Sequence, residues 1–168
     1  LASILTSVVI DPAMPDTMYV ADFGKGVWKS TDGGKTFALC PGNAQIQGGK
    51  YTWRLAIAPP SDKARTLYVA CAFFGGNDPG EVYRSQDGGR TFVKLGGGGG
   101  SQISGAYDVI THPRAPSWVM VGTVNGAYIS GNYGDSFDKK LNVGGERGAG
   151  SCKIARSYNN ENTLFFAC

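Results

Sequence analysis

The sequence predicts an all-β fold made of β-propeller blades with four antiparallel strands each: three full blades and half of a fourth. Three observations predict it. A unit of about 45 residues recurs, each unit contains four short strand patterns, and glycine supplies 26 of 168 residues, about twice its usual share. That period and strand number are typical of a propeller blade. With 42% apolar and 17% charged residues, the composition excludes a disordered chain.

The first two strands of each unit, A and B, are apolar runs joined by a turn that contains proline. VVIDPAMPDTMYVA, LAIAPPSDKARTLYVA and DVITHPRAPSWVMVGT align at Pro12, Pro59 and Pro113. Apolar runs bounded by turn residues predict strands. KIARSYNNENTLFFAC repeats the pair a fourth time. The predicted blade boundaries are about 7–40, 52–95, 106–141 and, for the half blade, 151–168.

The third strand, C, alternates apolar and polar residues in GVWKS, EVYRS and GAYIS, as a half-buried strand does. A box with the pattern S-x-D-x-G-x-T-F follows it, and strand D leaves the box as TFALC, TFVKL or SFDKK. The boxes lie 55 and then 45 residues apart. Their residues are Ser30, Asp32, Gly34, Thr36 and Phe37 in box 1, Ser85, Asp87, Gly89, Thr91 and Phe92 in box 2, and Ser130, Asn132, Gly134, Ser136 and Phe137 in box 3.

The box residues have local structural reasons. A carboxylate in a turn accepts backbone hydrogen bonds, glycine supplies a positive φ angle, and hydroxyls satisfy nearby backbone groups. The phenylalanine anchors the turn on the blade beneath. One aspartate per blade keeps Asp32 and Asp87 on separate turns, which favours a structural role over a catalytic pair or a calcium site.

These boxes resemble those of the Asp-box (BNR) β-propeller superfamily, with two full boxes and a degenerate third that has Asn132 in place of aspartate. The resemblance covers essentially the whole chain. The superfamily includes sialidases, tandem seven-bladed xyloglucan-active glycoside hydrolases, sortilin-like receptor domains and the photosystem II assembly factor propeller. It implies a propeller fold, whereas function must be argued from a site, because enzymes and non-enzymes share the box.

Ligands are expected on the face that carries the B–C and D–A connections, opposite the boxes. The B–C connection of unit 2, at 71–80, is six residues longer than that of unit 1 and contains Phe73, Phe74, Asn77 and Asp78. Aromatic rings beside an amide and a carboxylate suit a sugar. The alternative is that both phenylalanines fold onto their own blade. Two further candidates, Tyr51 and Trp53, follow the first D–A connection.

The sequence contains no complete set of catalytic residues from the enzymes of this superfamily. Asp22, in YVADFGKGVW, loosely resembles the acid-bearing loop of the xyloglucan-active enzymes but lacks the preceding Arg-Thr pair. The sialidase set is not found, since Pro113-Arg114-Ala115-Pro116 falls in an A–B turn, and His112 has no nucleophile at a recognisable spacing. Two interpretations stay open: a non-catalytic extracytoplasmic scaffold that binds a protein or glycan, or a fragment of a secreted glycoside hydrolase whose second carboxylate lies outside this chain.

The four cysteines predict one disulfide and no metal site. Cys40, Cys71, Cys152 and Cys168 have no C-x-x-C spacing, and a single histidine makes an ordinary zinc site improbable, so no metal or other cofactor is expected. If Arg156 lies opposite about Leu164, Cys152 faces Cys168 across the half blade. That arrangement predicts a cross-strand disulfide, with Cys40 and Cys71 as buried thiols.

Charge and hydropathy limit the classes of partner and the location that the sequence predicts. The net charge of +3 comes from scattered lysines and arginines, which argues against a nucleic-acid partner. No run of about 20 apolar residues predicts a membrane span, and LASILTSVVI lacks the basic start of a signal peptide. The expected partners are a glycan or protein ligand and the remaining blades, from the parent chain or another copy. The expected location is secreted or extracytoplasmic, in a periplasm or at a cell surface.

Overall fold

The computed structural model describes residues 3–46, 51–61, 65–72, 80–96, 103, 105–142, 152–157 and 159–167. Sheet 1 consists of β1 (Leu5–Asp11), β2 (Met14–Asp22), β3 (Gly26–Ser30) and β4 (Ala38–Leu39). Sheet 2 consists of β5 (Thr52–Ile57), β6 (Leu67–Cys71), β7 (Glu81–Ser85) and β8 (Val93–Lys94). Sheet 3 consists of β9 (Ala106–Thr111), β10 (Val119–Thr123), β11 (Gly126–Ser130) and β12 (Asp138–Asn142). Hairpin 4 consists of β13 (Lys153–Arg156) and β14 (Leu164–Ala167).

Within each sheet, every strand pairs antiparallel with its neighbours in sequence, so the order in sheet 1 is β1-β2-β3-β4, and sheets 2 and 3 repeat it. Hairpin 4 has the predicted register, with Arg156 opposite Leu164. A short 3₁₀ helix, Pro41–Gln45, follows β4 in a connection that the sequence predicted only as a loop. Among the described residues, no helix is long and apolar enough to cross a membrane. The fold is therefore all-β and built from four-stranded antiparallel sheets, as predicted.

The core lies between successive sheets. The first strands β1, β5, β9 and β13 contact one another in that order, which places them innermost. Because side chains alternate across a strand, each sheet has two faces to cover. Between sheets 1 and 2, the buried residues include Tyr19, Ala21, Val27, Leu55, Val69 and Tyr83. Between sheets 2 and 3, they include Ala56, Tyr68, Ala70, Val109, Val121 and Tyr128.

Side chains at one repeated position join the innermost strands. In β1, Ser7 Oγ accepts a hydrogen bond from the Leu55 N–H of β5 at 3.1 Å. At the equivalent position of β9, Asp108 Oδ2 accepts one from the Ile154 N–H of β13 at 2.9 Å. Arg54 occupies that position in β5 and pairs with Asp108, Nε to Oδ1, at 3.3 Å. At this position, the innermost strands of adjacent sheets are thus linked through side chains and not by a backbone ladder.

Hydrogen bonds between side chains and backbone close the box turns. In box 1, the Gly34 N–H donates to Ser30 Oγ at 2.9 Å, while the N–H and hydroxyl of Thr36 donate to the Asp32 carboxylate at 3.0 and 2.6 Å. Box 2 repeats this pattern with distances between 2.6 and 2.9 Å. In box 3, Asn132 Oδ1 accepts the Ser136 N–H at 3.0 Å, so the amide replaces the carboxylate as acceptor.

Each of the later boxes also packs on the preceding sheet. A Cβ on Gly89 would lie 2.6 Å from Cys40 Sγ, and one on Gly134 would lie 2.7 Å from Leu95 Cδ1, so the residue after strand D sits directly over the box glycine. The box phenylalanine is buried in boxes 2 and 3, but Phe37 in box 1 is 40% exposed. The anchoring role of the box phenylalanine stays a prediction.

Candidate ligand site

The predicted site residues fall into two groups. Asp22 is the last residue of β2, Tyr51 directly precedes β5, and Trp53 lies within β5. The remaining candidates lie outside the described residues: Phe73, Phe74, Asn77, Asp78 and Cys168. The structure therefore gives a geometry for the end of sheet 1 and the start of sheet 2.

Three aromatic rings meet at this point. The Phe23 ring centroid lies 5.4 Å from that of Tyr51 and 6.4 Å from that of Trp53, with interplanar angles of 52° and 78°. All three side chains are half-buried. We call these residues, Phe23, Tyr51 and Trp53, the aromatic cluster. Sequence reasoning found Tyr51 and Trp53 but missed Phe23, although a large aromatic residue inside a short turn was a signal for it.

Backbone hydrogen bonds fix the turn that carries Phe23. The Phe23 N–H donates to Ile4 O at 2.9 Å, and the Lys25 N–H closes the turn on Asp22 O at 3.0 Å. Gly24 between them has a φ of +84°, a conformation that glycine adopts without steric cost. Phe23 therefore projects from a tight, fully bonded β2–β3 turn.

Thr52, between the other two aromatic residues, ties sheet 2 to that turn. Its buried hydroxyl donates to Asp22 O at 2.7 Å, and its carbonyl accepts the Thr6 hydroxyl at 3.0 Å. Tyr51 adopts a left-handed φ of +60°, which is uncommon for a residue with a side chain. Such conformations persist where the surroundings enforce them and are concentrated at functional sites. The two sheets thus hold the rings in a fixed relation.

A cation lies beside the cluster. Lys153 Nζ, from hairpin 4, is 6.0 Å from the centroid of the Trp53 ring and donates to Tyr107 O at 3.2 Å. This distance is at the outer limit of a cation–π contact. Sheets 1 and 2 and hairpin 4 therefore all contribute to the surroundings of Trp53.

Asp22 lies next to the cluster but is enclosed. It is 2% exposed, its Oδ2 is 3.8 Å from Lys25 Nζ, and its Oδ1 has no hydrogen-bond partner within the described ranges. A buried carboxylate oxygen without a partner carries a desolvation cost. A ligand hydroxyl that donates to Oδ1 would remove that cost, but the present packing covers the atom.

Glu81 is a buried carboxylate that the sequence analysis missed. It is 3% exposed at the start of β7, accepts the Tyr83 hydroxyl and pairs with Lys94. The other sheets have Gly26 and Gly126 at this position, so the departure from the repeat was its signal. Both carboxylate oxygens have protein partners, which indicates a structural role.

The innermost strands line an open groove of about 380 Å³. Apolar side chains such as Ile57 alternate there with Arg54 and Arg156. Arg156 donates to Thr111 O at 2.6 Å, so its guanidinium partly serves to join β13 to β9. Among the residues with described positions, no cluster of three His, Cys, Asp or Glu side chains is placed to bind a metal ion.

No protein-family model matches the chain, and no curated protein matches it. Solved structures do match. An ancestral GH74 enzyme is 22% identical with a TM-score of 0.61 over 83% of this chain and 18% of that one. YCF48 from Cyanidioschyzon merolae is 16% identical with a TM-score of 0.64 over 93% of this chain and 48% of that one. The GH74 xyloglucanase from Xanthomonas campestris is 19% identical with a TM-score of 0.64 over 82% and 21%.

These neighbours are β-propeller proteins, and the likeness shows that the described sheets are arranged as in a propeller. The chain spans less than half the length of each of these three structures. At these identities the likeness concerns the fold alone.

Proposed function

We propose that this chain is a non-catalytic propeller module of an extracytoplasmic protein, and that it binds a glycan at the aromatic cluster. One observation carries the proposal: Phe23, Tyr51 and Trp53, from two sheets, converge where the B–C connection of sheet 1 meets the start of strand A of sheet 2. Rings that are half-buried and held rigidly offer apolar surface at a low entropic cost of binding. Sugar rings present apolar C–H faces that such surfaces cover.

The connection at 71–80 extends the proposal. It joins β6 to β7 in the sheet that contains Trp53. We include Phe73, Phe74, Asn77 and Asp78 as further ligand residues on the strength of their composition, in which two rings accompany an amide and a carboxylate. Their amide and carboxylate groups would accept or donate hydrogen bonds to sugar hydroxyls.

The test compares two tryptophan substitutions. Binding of soluble xyloglucan and mixed-linkage β-glucan is measured by isothermal titration calorimetry for the wild type, Trp53→Ala and Trp118→Ala. Trp118 is 46% exposed and its ring lies 6.4 Å from that of His112 at an interplanar angle of 59°, away from the cluster, which makes it a matched control. Loss of one stacked ring should weaken binding about tenfold in Trp53→Ala alone.

Two outcomes contradict the glycan proposal. Wild-type protein that binds neither polysaccharide, nor any glycan on an array, leaves a protein as the ligand class. Equal loss of binding in both variants places the site elsewhere. Circular dichroism spectra matching the wild type would show that each variant is folded.

A fragment of a glycoside hydrolase is the second candidate, and Asp22 is the observation that favours it. The carboxylate has a buried oxygen without a hydrogen-bond partner in the described part of the chain, and it adjoins Phe23. Two of the structural neighbours are GH74 enzymes. In this proposal, Asp22 acts as one of two carboxylates and the second lies outside this chain.

Hydrolysis of a polysaccharide panel by the natural full-length protein separates the candidates. Asp22→Asn should abolish hydrolysis, while Asp16→Asn, an exposed control in the same strand, should leave it intact. Unchanged hydrolysis in Asp22→Asn removes Asp22 from the reaction. A wild-type protein without activity on any polysaccharide supports the scaffold.

We also propose a disulfide between Cys152 and Cys168. Cys152 is fully buried, and the pairing of Lys153 with Ala167 puts it level with the position that follows Ala167. Cys40 and Cys71 are buried thiols elsewhere in the fold. Disulfides persist in oxidising compartments, so this bond accords with an extracytoplasmic location. Non-reducing mass spectrometry that finds both thiols unmodified contradicts it.

A further inference from the structure

Three carboxylates are buried at the end of the sheets that carries the aromatic cluster. They belong to Asp22, Glu81 and Asp108, each of which is at most 4% exposed. Asp22 ends β2, Glu81 begins β7 and Asp108 lies near the start of β9. All three therefore belong to the end with the B–C and D–A connections, which we call the ligand end.

The basic partners of these carboxylates face the solvent. Lys25 pairs with Asp22, Lys94 with Glu81 and Arg54 with Asp108, and the three basic side chains are between 36% and 53% exposed. Each ion pair thus has its negative member inside and its positive member at the surface. Among the described residues of the ligand end, a ligand that arrives from water meets positive charge first, and such a surface attracts anions.

Lys153 differs from these three basic residues because no carboxylate of the described residues pairs with it. Its side chain is exposed, and its Nζ lies 6.0 Å from the centroid of the half-buried Trp53 ring. One of its hydrogen bonds goes to Tyr107 O at 3.2 Å. An ammonium group has three donors, so Lys153 keeps donors for a ligand beside the ring of Trp53.

We propose that the glycan is acidic, and that the carboxylate of a uronic acid unit binds Lys153 Nζ while the sugar ring covers Trp53. This inference rests on the proposed glycan site and adds the class of sugar. A sugar ring in contact with Trp53 lies about 4 Å from it. The carboxylate of a uronic acid is attached directly to the edge of that ring, which brings it within reach of an ammonium 6.0 Å from the Trp53 centroid.

The two contacts have different effects on selectivity. Trp53 offers the same apolar surface to a neutral sugar and to an acidic one, because both have C–H faces. Lys153 distinguishes them, since a hydrogen bond between two charged groups is about twice as strong as one to a neutral hydroxyl. The ring therefore supplies affinity for sugars in general, and the ammonium supplies the preference for the acidic sugar.

The test uses two oligosaccharides of equal length, a β-1,4-linked oligoglucose and the corresponding oligoglucuronate. They differ only in having a hydroxymethyl group or a carboxylate on each ring. Isothermal titration calorimetry on the natural full-length protein should show about tenfold tighter binding of the oligoglucuronate. Added salt should reduce this difference, because exposed charge pairs are screened.

Four variants separate the roles of the ring and the charge. Lys153→Gln should remove the preference but keep binding of the neutral oligosaccharide, whereas Lys153→Arg should retain the preference because it retains the charge. Trp53→Ala should weaken binding of both oligosaccharides. Lys35→Gln is the matched control, because it removes the same charge from an exposed residue in box 1, at the opposite end of the sheets, and should change neither affinity.

Several results overturn the inference. Equal affinity for both oligosaccharides overturns it and leaves the glycan proposal standing, as does tighter binding of the neutral one, which repulsion by the proposed ligand residue Asp78 would cause. A preference that survives Lys153→Gln, or that Lys35→Gln reduces equally, does not come from Lys153. Binding of neither oligosaccharide also overturns it, and the glycan array then shows whether the glycan proposal itself has failed.

Discussion

Asp108→Ala should loosen hairpin 4 from sheet 3. The Asp108 carboxylate is 4% exposed and accepts the Ile154 N–H, which is itself in a buried residue. Alanine leaves that N–H without a partner, at a cost of about 1–3 kcal/mol. The lost pairing with Arg54 adds about 0–1 kcal/mol, because half of the Arg54 side chain is in water.

The sum is about 1–4 kcal/mol of unfolding free energy, with a central value of about 2 kcal/mol, and it is confined to one interface. Hydrogen exchange measured by mass spectrometry or NMR should show faster exchange in β13 and β14 by about thirtyfold, while β6 and β10 keep their protection. Hairpin 4 responds first because the main strand contacts of β13 outside the hairpin are with β9 and β10 of sheet 3.

Asp108→Ser is the matched control that the repeat provides. Ser7 makes the equivalent bond in β1, where its hydroxyl accepts the Leu55 N–H at 3.1 Å. A serine at 108 should therefore keep most of the protection in β13. Equal exchange rates in the alanine and serine variants, or a loss spread evenly over all sheets, would refute the assignment of this bond as the local link.

Three further predictions concern the boxes and Cys40, which packs on box 2. Hydrogen bonds from Thr36, first from its hydroxyl, lower the pKa of Asp32 to about 2. The ionised Asp32 carboxylate therefore stabilises the fold fully above the unfolded-state pKa of about 3.9, and this stabilisation is lost as the pH falls through about 2. NMR titration of Asp32 should give a midpoint of about 2, and Thr36→Val should raise that midpoint. Gly89→Ala should lower the unfolding free energy by at least about 1–2 kcal/mol, because φ at this position is +87° and the added methyl would meet Cys40 Sγ. Urea denaturation measures this loss, and an unchanged denaturation midpoint would contradict the packing of Cys40 on Gly89. Burial raises the pKa of the Cys40 thiol to about 11, although the nearby Lys29 charge acts in the opposite direction. Iodoacetamide at about pH 8 should therefore alkylate Cys40 only after the protein unfolds. Rapid labelling of the native protein would contradict the burial of Cys40.

The repeat explains why the sheets could be predicted from the sequence. Strand pairing within a blade is local, so aligned apolar runs and box residues locate neighbouring strands, as the Arg156–Leu164 register shows. Contacts between sheets depend on the angle between them, which no local pattern contains. The Asp108–Ile154 and Cys40–Gly89 contacts were missed for that reason.

The candidate site was predicted only in part for a related reason. Tyr51 and Trp53 stood out because they follow a connection on the expected face. Phe23 belongs to another sheet, and the tie between them, Thr52 to Asp22 O, joins residues 30 positions apart. The left-handed Tyr51 could not be predicted either, since such a φ is normally assigned to glycine.

The order of the strands along the chain determines when each sheet can form during translation. Because each strand pairs with the one made just before it, a sheet has all its pairing partners within about one unit of chain. Sheet 1 can therefore form while sheet 2 is still being translated, and each later sheet can be added to a completed surface. The nascent chain then presents an apolar sheet face at its growing end until the next sheet covers it.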